Sequence, residues 1–273
     1  MPVPILQFPA EWAPQSAVQL TWPRADGDFS RHFDAVERNF IAIAVAISRH
    51  EDVIIGYGLD PVALKQRLVD AGANASHLRI YKVPSNDVWA RDHGPVTIFR
   101  DGRLVHLDFV FNGWGNKFDA TLDTQITRQL AEQNVWPGRV ETLEFVLEGG
   151  GIESDGLGTL LTTERCLLAA TRNPQFSKSQ IEQQLKDWFG LSRVLWLKHG
   201  DLIGDDTDGH IDTIARFCDA HTIAYQACDD RGDAHYDDLK ALEQELQALR
   251  QANGRPYALV PLPLPAVIHD EDG

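Results

Sequence analysis

The sequence predicts an α/β fold assembled from repeated strand–strand–helix–strand modules. Two observations carry this. Short β-rich runs are punctuated by amphipathic segments with helix start and stop signals. In addition, helix starts near residues 119, 177 and 235 recur at intervals of about 58 residues, a spacing usable as a repeat period. An ordinary α+β domain with evenly spaced helices is the alternative.

Five helices are expected. The first covers residues 30–50, with Phe33, Val36, Phe40, Ile43 and Ile47 on one face. The second starts at Asp60-Pro61, an N-cap followed by proline at the first helical position. The third starts near Asp119. The fourth opens at Ser177, where Ser177-x-x-Gln180 forms a capping box. The fifth covers residues 235–251 and stops at Asn253-Gly254.

The strands fall between them. LRIYKV (78–83), VTIF (96–99) with LVHLDF (104–109), the helix from Asp119 and VETLEF (140–145) make one module. EFVLEG (144–149), GTLLTT (158–163), the helix from Ser177 and RVLWL (193–197) make a second. IDTIARF (211–217), HTIAYQA (221–227), the helix from His235 and YALVPL (257–262) make a third. AVQLTW (17–22), the helix 30–50 and VIIGYG (53–58) read as an earlier, degenerate copy, which brings the count to four. Asp101-Gly102 marks a hairpin turn.

Composition narrows the function. The chain has 273 residues, 43% hydrophobic, enough for one large domain or two ordinary ones. Its net charge of −15 argues against nucleic acid, because phosphate binding needs a basic surface. The opening MPVPILQFPAEW has no basic n-region and no long apolar core, so it is not a secretory signal. The longest apolar run, FIAIAVAI (40–47), is too short to span a bilayer, so no membrane partner is expected. Three cysteines, Cys166, Cys218 and Cys228, with no CxxC pair, fit reduced thiols in a cytoplasmic protein.

Four stretches could carry chemistry. GDDTDGHIDTIARF (204–217) sets four aspartates around His210. As an EF-hand it would place Gly204 and Ala215 where calcium needs acidic ligands. A zinc site would want more His or Cys nearby. What remains is an acidic loop capping a strand, or an acid/base pair. If IDTIARF is a strand, His210 and Asp212 project from one face, where an imidazole beside a carboxylate can move protons. NDVWARDHGP (86–95) combines Asp87, Asp92, Trp89 and Arg91 before a turn. A carboxylate with an aromatic face suits a planar cation; the competing reading pairs Arg91 with Asp87 and buries Trp89. In EGGGIESDGLGTLLTTE (148–164), Gly149 to Gly151 follow Glu148, and close backbone approach is their use. FNGWGNKF (111–118) offers Trp114 as an aromatic wall.

Together with PAEWAPQ (9–15), LTWP (20–23) and RNP (172–174), these motifs resemble the agmatine deiminase and bacterial-type peptidyl-arginine deiminase group of guanidine-modifying enzymes. They occur in the family's order along nearly the whole chain. The resemblance implies a pseudo-fivefold α/β propeller, with four of five modules present, and a single deiminase domain over residues 1–273 that is C-terminally incomplete. It implies cofactor-free, metal-free hydrolysis of a small cationic guanidine, with agmatine favoured over peptidyl-arginine, and makes a homodimer plausible. By motif, Asp92 and Asp212 resemble the guanidinium anchors, His210 the acid/base and Glu148 a supporting carboxylate. Trp89 resembles an aromatic wall beside the substrate, and Trp114 is grouped with it. The family's nucleophile lies in a C-terminal GGGxxHC-type motif, which these residues lack. The three cysteines read as buried or incidental, and the chain alone is expected to be inactive.

Overall fold

The computed structural model describes residues 5–265. Within them the chain forms a mixed α/β structure of four small sheets, which condenses into two compact units. The first unit comprises residues 13–149 with 171–173 and the chain up to Leu6. The second comprises 7–12, 150–170 and the chain from Pro174.

The first unit holds two sheets. A short strand β1 (Leu6–Gln7) precedes β2 (Ala17–Thr21), β3 (Asp52–Tyr57) and β4 (Leu78–Lys82), which pair in parallel in the order β2-β3-β4. Helices α1 (Phe33–Ile47) and α2 (Pro61–Asp70) make the crossovers. β3 reads as a continuous apolar run because Val53, Ile54 and Ile55 are all buried. LRIYKV therefore completes the first sheet rather than opening the next module. The 10-residue helix α2 is the crossover that parallel pairing with β3 requires. Asp60 caps α2 by accepting from the Val62 and Ala63 amides, with Pro61 at the first position. α1 starts at Phe33, after a single 3₁₀ turn, and buries Ala44 and Val45. Ile43, expected on the buried face, is exposed. Its neighbours Phe40, Ile41 and Ile47 pack on the core instead.

The second sheet has the order β1-β5-β6-β7, with β5 (Val96–Arg100), β6 (Arg103–Val110) and β7 (Arg139–Val146). β5 and β6 form the expected hairpin. Asp101 (φ 51°) and Gly102 (φ 73°) both take positive φ, as a tight two-residue turn demands. The helical turn α3 (Ala90–His93) precedes β5. The turn α4 (Gly113–Asn116) follows β6, and α5 (Ile126–Glu132), entered through a 3₁₀ turn at Asp123–Gln125, leads to β7.

The second unit repeats the plan twice. β8 (Glu153–Ser154) runs antiparallel to β9 (Thr159–Thr163), which pairs in parallel with β10 (Arg193–Leu197). Its first strand is thus Glu153–Ser154 and not EFVLEG, whose first three residues end β7. The turn α6 (Glu164–Leu167) follows β9, and α7 (Lys178–Phe189) makes the crossover. α7 has the full capping box at Ser177 and Gln180 and ends on Gly190 at φ 69°. The last sheet joins β11 (Ala215–Asp219) antiparallel to β12 (Thr222–Ala227), then β13 (Ala258–Pro263) parallel. The turn α8 (Ile211–Ile214) precedes β11, and helix α9 (Tyr236–Ala248) lies between β12 and β13.

Among the described residues β13 pairs on one side only, and its other side has few amides to offer. The amides of Ala258 and Leu264 point inward, to His221 and Ala227. The alternating residues that would offer outward amides include Pro261 and Pro263, which have none. Among the described residues no helix is long and apolar enough to cross a membrane.

Candidate active site

The first unit collects its expected residues around α3. Asp92 is buried on that turn, and the Trp114 indole Nε1–H donates to its Oδ2 at 3.0 Å. Trp114 in turn receives Trp89, Phe111 and Phe118 edge-on, with ring centroids at 6.4, 5.0 and 5.6 Å. Trp89 and Phe118 stay 49% and 42% exposed, so the cluster shows aromatic surface beside a buried carboxylate.

The loop before Trp89 is tied down by polar exchange. Asn86 Oδ1 accepts from the Leu122 and Asp123 amides, while Asp123 accepts from the Asn86 and Asp87 amides. Burial pushes the Asp123 carboxyl up to about 6, against those hydrogen bonds. Burial also raises Asp87, with Asp28 adding repulsion. His93, next to Asp92, is buried and pushed down to about 4 by desolvation. It is therefore neutral at pH 7, with Nε2 at 3.2 Å from the Thr21 hydroxyl.

Glu148 arrives just after β7. A Cβ on Gly149 would lie 2.1 Å from the Arg91 carbonyl oxygen, so only glycine lets this backbone pass α3. Glu148 and Arg172 are fully buried side chains, with Arg172 Nε at 3.0 Å from both carboxylate oxygens. Asn173 clamps the same segment by bonding the amide and carbonyl of Val146. Sequence reasoning does not find Arg172 as a site residue. The RNP motif contains it, but nothing in the chain pairs it with a glutamate 24 residues earlier.

In the second unit His210 is 2% exposed and stands at the N-cap of α8. This corrects the strand reading: Ile211–Ile214 is a helical turn, so the period-2 argument for a shared face of His210 and Asp212 does not apply. Ile211 and Ile214 are buried, and the Thr213 hydroxyl donates to the His210 carbonyl. The loop leading in is held by Asp205, whose carboxylate accepts from Thr207 N, Thr207 Oγ1 and Gly209 N. Thr207 Oγ1 accepts from the His210 amide, and Thr163 Oγ1 donates to the Gly209 carbonyl.

The acidic run also has a resident cation. Arg165 pairs with Asp201, and Asp205 and Asp208 help raise its pKa. Asp205 thus serves as a framework residue of its loop. Arg216 pairs with Glu153 and Glu11; against the lowering effect of burial, Glu153 first, then Glu11 and Asp212, raise its pKa.

The three cysteines divide by burial. Cys166 and Cys228 are buried, but Cys218 on β11 is exposed. Cys166 sits on the turn α6 after β9. A Cβ placed on Gly151 would lie 3.3 Å from its Sγ and 4.0 Å from His210 Cδ2, so glycine leaves both side chains room.

Residues 7–273 match the family described as Porphyromonas-type peptidyl-arginine deiminase. The chain belongs to this family. The agmatine deiminase of Stutzerimonas stutzeri is 35% identical over 271 residues, covering 97% of this chain and 72% of its own length. The substrate-bound agmatine deiminase of C. jejuni, a cysteine-to-serine variant, superposes with a TM-score of 0.88 at 33% identity, over 98% of this chain and 77% of that one. A Porphyromonas gingivalis protein assigned provisionally as an arginine deiminase gives 0.89 at 47%, over 97% and 78%. The several small sheets of this family member match those solved folds.

Proposed function

We propose that this chain binds the guanidinium group of agmatine and belongs to the chemistry that hydrolyses it to N-carbamoylputrescine and ammonia. The observation that carries the reading is the buried Asp92 carboxylate beside half-exposed Trp89, a pairing that suits a planar +1 group. Asp92 and Asp212 are assigned as anchors of the guanidinium nitrogens, and Glu148 as a supporting carboxylate. In the reaction a cysteine thiolate attacks the guanidinium carbon. His210 protonates the departing ammonia and then takes a proton from the water that attacks the covalent thiouronium, breaking its C–S bond to release N-carbamoylputrescine and the thiolate. We assign no cysteine of this polypeptide to that step, and read it as inactive alone. The fold we propose is a pseudo-fivefold propeller of which these residues form four modules, within one deiminase domain.

The second reading, peptidyl-arginine as substrate, is supported by the family's own description. Calorimetric titration tests both. Agmatine should bind the 273-residue chain, and Asp92→Asn should abolish binding. A tighter fit for an arginine-terminated peptide would favour the second reading. Absence of binding by either ligand would remove both.

A further inference from the structure

The turn Gly113–Asn116 is left-handed throughout. Its four residues have φ of 65°, 54°, 85° and 65°. Two of them, Trp114 and Asn116, are not glycine, and L-residues in this region cost roughly 1–2 kcal/mol each. Such a conformation persists only where its surroundings over-determine it.

The surroundings here do so from three sides. Asn112 Oδ1 accepts from the Gly115 amide, and the Asn116 and Lys117 amides bond back to Asn112 and Gly113. Asn112 Nδ2 donates to the Thr171 carbonyl at 2.9 Å. Neither glycine has room for a side chain. A Cβ on Gly113 would lie 2.2 Å from the Phe118 carbonyl oxygen, and one on Gly115 would lie 2.4 Å from Thr171 Oγ1. The strap that supplies Thr171 also supplies Arg172, the partner of Glu148.

These contacts converge on the placement of one side chain. The Trp114 ring is 7% exposed, wedged among Phe111, Phe118 and Trp89, with its indole N–H on Asp92. An indole nitrogen can donate but not accept, so its partner must be an acceptor, here a carboxylate oxygen. We infer that Trp114 is a positioning residue: the left-handed turn locks its ring so that the indole N–H fixes the orientation of the Asp92 carboxylate for a guanidinium. It would act through Asp92, not as a wall touching the substrate. This rests on the reading of Asp92 as a guanidinium anchor.

The test combines agmatine calorimetry with ¹H–¹⁵N spectra of the indole groups, on the full 273-residue chain and two variants. Trp114→Phe keeps an aromatic ring and removes the donor. It should weaken agmatine binding about tenfold, the size of a lost hydrogen bond to a charged group, with the aromatic cluster still folded by near-ultraviolet circular dichroism. The indole resonance missing from Trp114→Phe should move in Asp92→Asn without any ligand, a change that a purely packing role would not produce. Wild-type affinity in Trp114→Phe, or an indole resonance indifferent to Asp92→Asn, overturns the inference. If Trp114→Phe does not fold, the Trp114 indole resonance is assigned by sequential experiments on the wild type, and the Asp92→Asn spectrum then decides alone. If the wild type binds no agmatine yet the indole resonance responds, the anchor reading fails and the hydrogen bond stands, so the two failures are distinct.

Discussion

Arg172 and Glu148 form a fully buried ion pair, with the guanidinium Nε equidistant, at 3.0 Å, from the two carboxylate oxygens. Burying both charges is costly, and the pair offsets that cost only while both partners remain. Arg172→Met should therefore destabilise the chain by about 3–5 kcal/mol in urea denaturation, by stranding Glu148. Glu148→Leu with Arg172→Met together should cost less than the two single changes added. Additive costs would show that the pair is not coupled.

Two buried titratable groups in the first unit pull stability in opposite directions with pH. His93 falls from 6.5 to about 4 in the folded chain, so its contribution is present above pH 6.5 and lost as pH falls toward 4. Asp123 rises from 3.8 to about 6, so its contribution is present below pH 3.8 and lost as pH rises through 6. Each window amounts to up to about 3 kcal/mol at about 1.4 kcal/mol per pH unit. Relative to wild type, His93→Asn should gain stability on going from pH 7 to 4, and Asp123→Asn should lose it. Denaturation curves at the two pH values read this directly; equal differences at both would refute the assignments.

The left-handed turn predicts a contrast between two glycines. Gly102 has φ 73° with nothing within 4 Å of an added methyl, so Gly102→Ala should cost about 1–2 kcal/mol from backbone strain alone. Gly115 adds a 2.4 Å clash with Thr171 Oγ1 to a φ of 85°, so Gly115→Ala should cost clearly more. Thr171→Ala in that background should recover part of the difference in melting temperature.

Much of this architecture is legible in the chain because it is written locally. The caps at Asp60 and Ser177 and the Asp101-Gly102 turn depend on neighbours within a few residues. Partnership is not legible. LRIYKV reads as a strand, but nothing in it says that it joins β3. IDTI is rich in β-branched residues, which local propensity sends to a strand. It is held as a helical turn by tertiary contacts: Ile214 packs on Gly200, and Thr163 fixes the Gly209 carbonyl. The same limit hides Arg172, whose partner is remote in sequence, and the role of Asp205 within its acidic run.

We propose that these residues carry the guanidinium anchors and the acid/base of a deiminase but not its thiol. Ammonia release from agmatine by the purified 273-residue polypeptide tests this most directly. No release above the no-enzyme background is expected under conditions where agmatine is bound. Robust turnover that disappears in His210→Ala would contradict the proposal, and would mean that Cys166, Cys218 or Cys228 serves as the nucleophile.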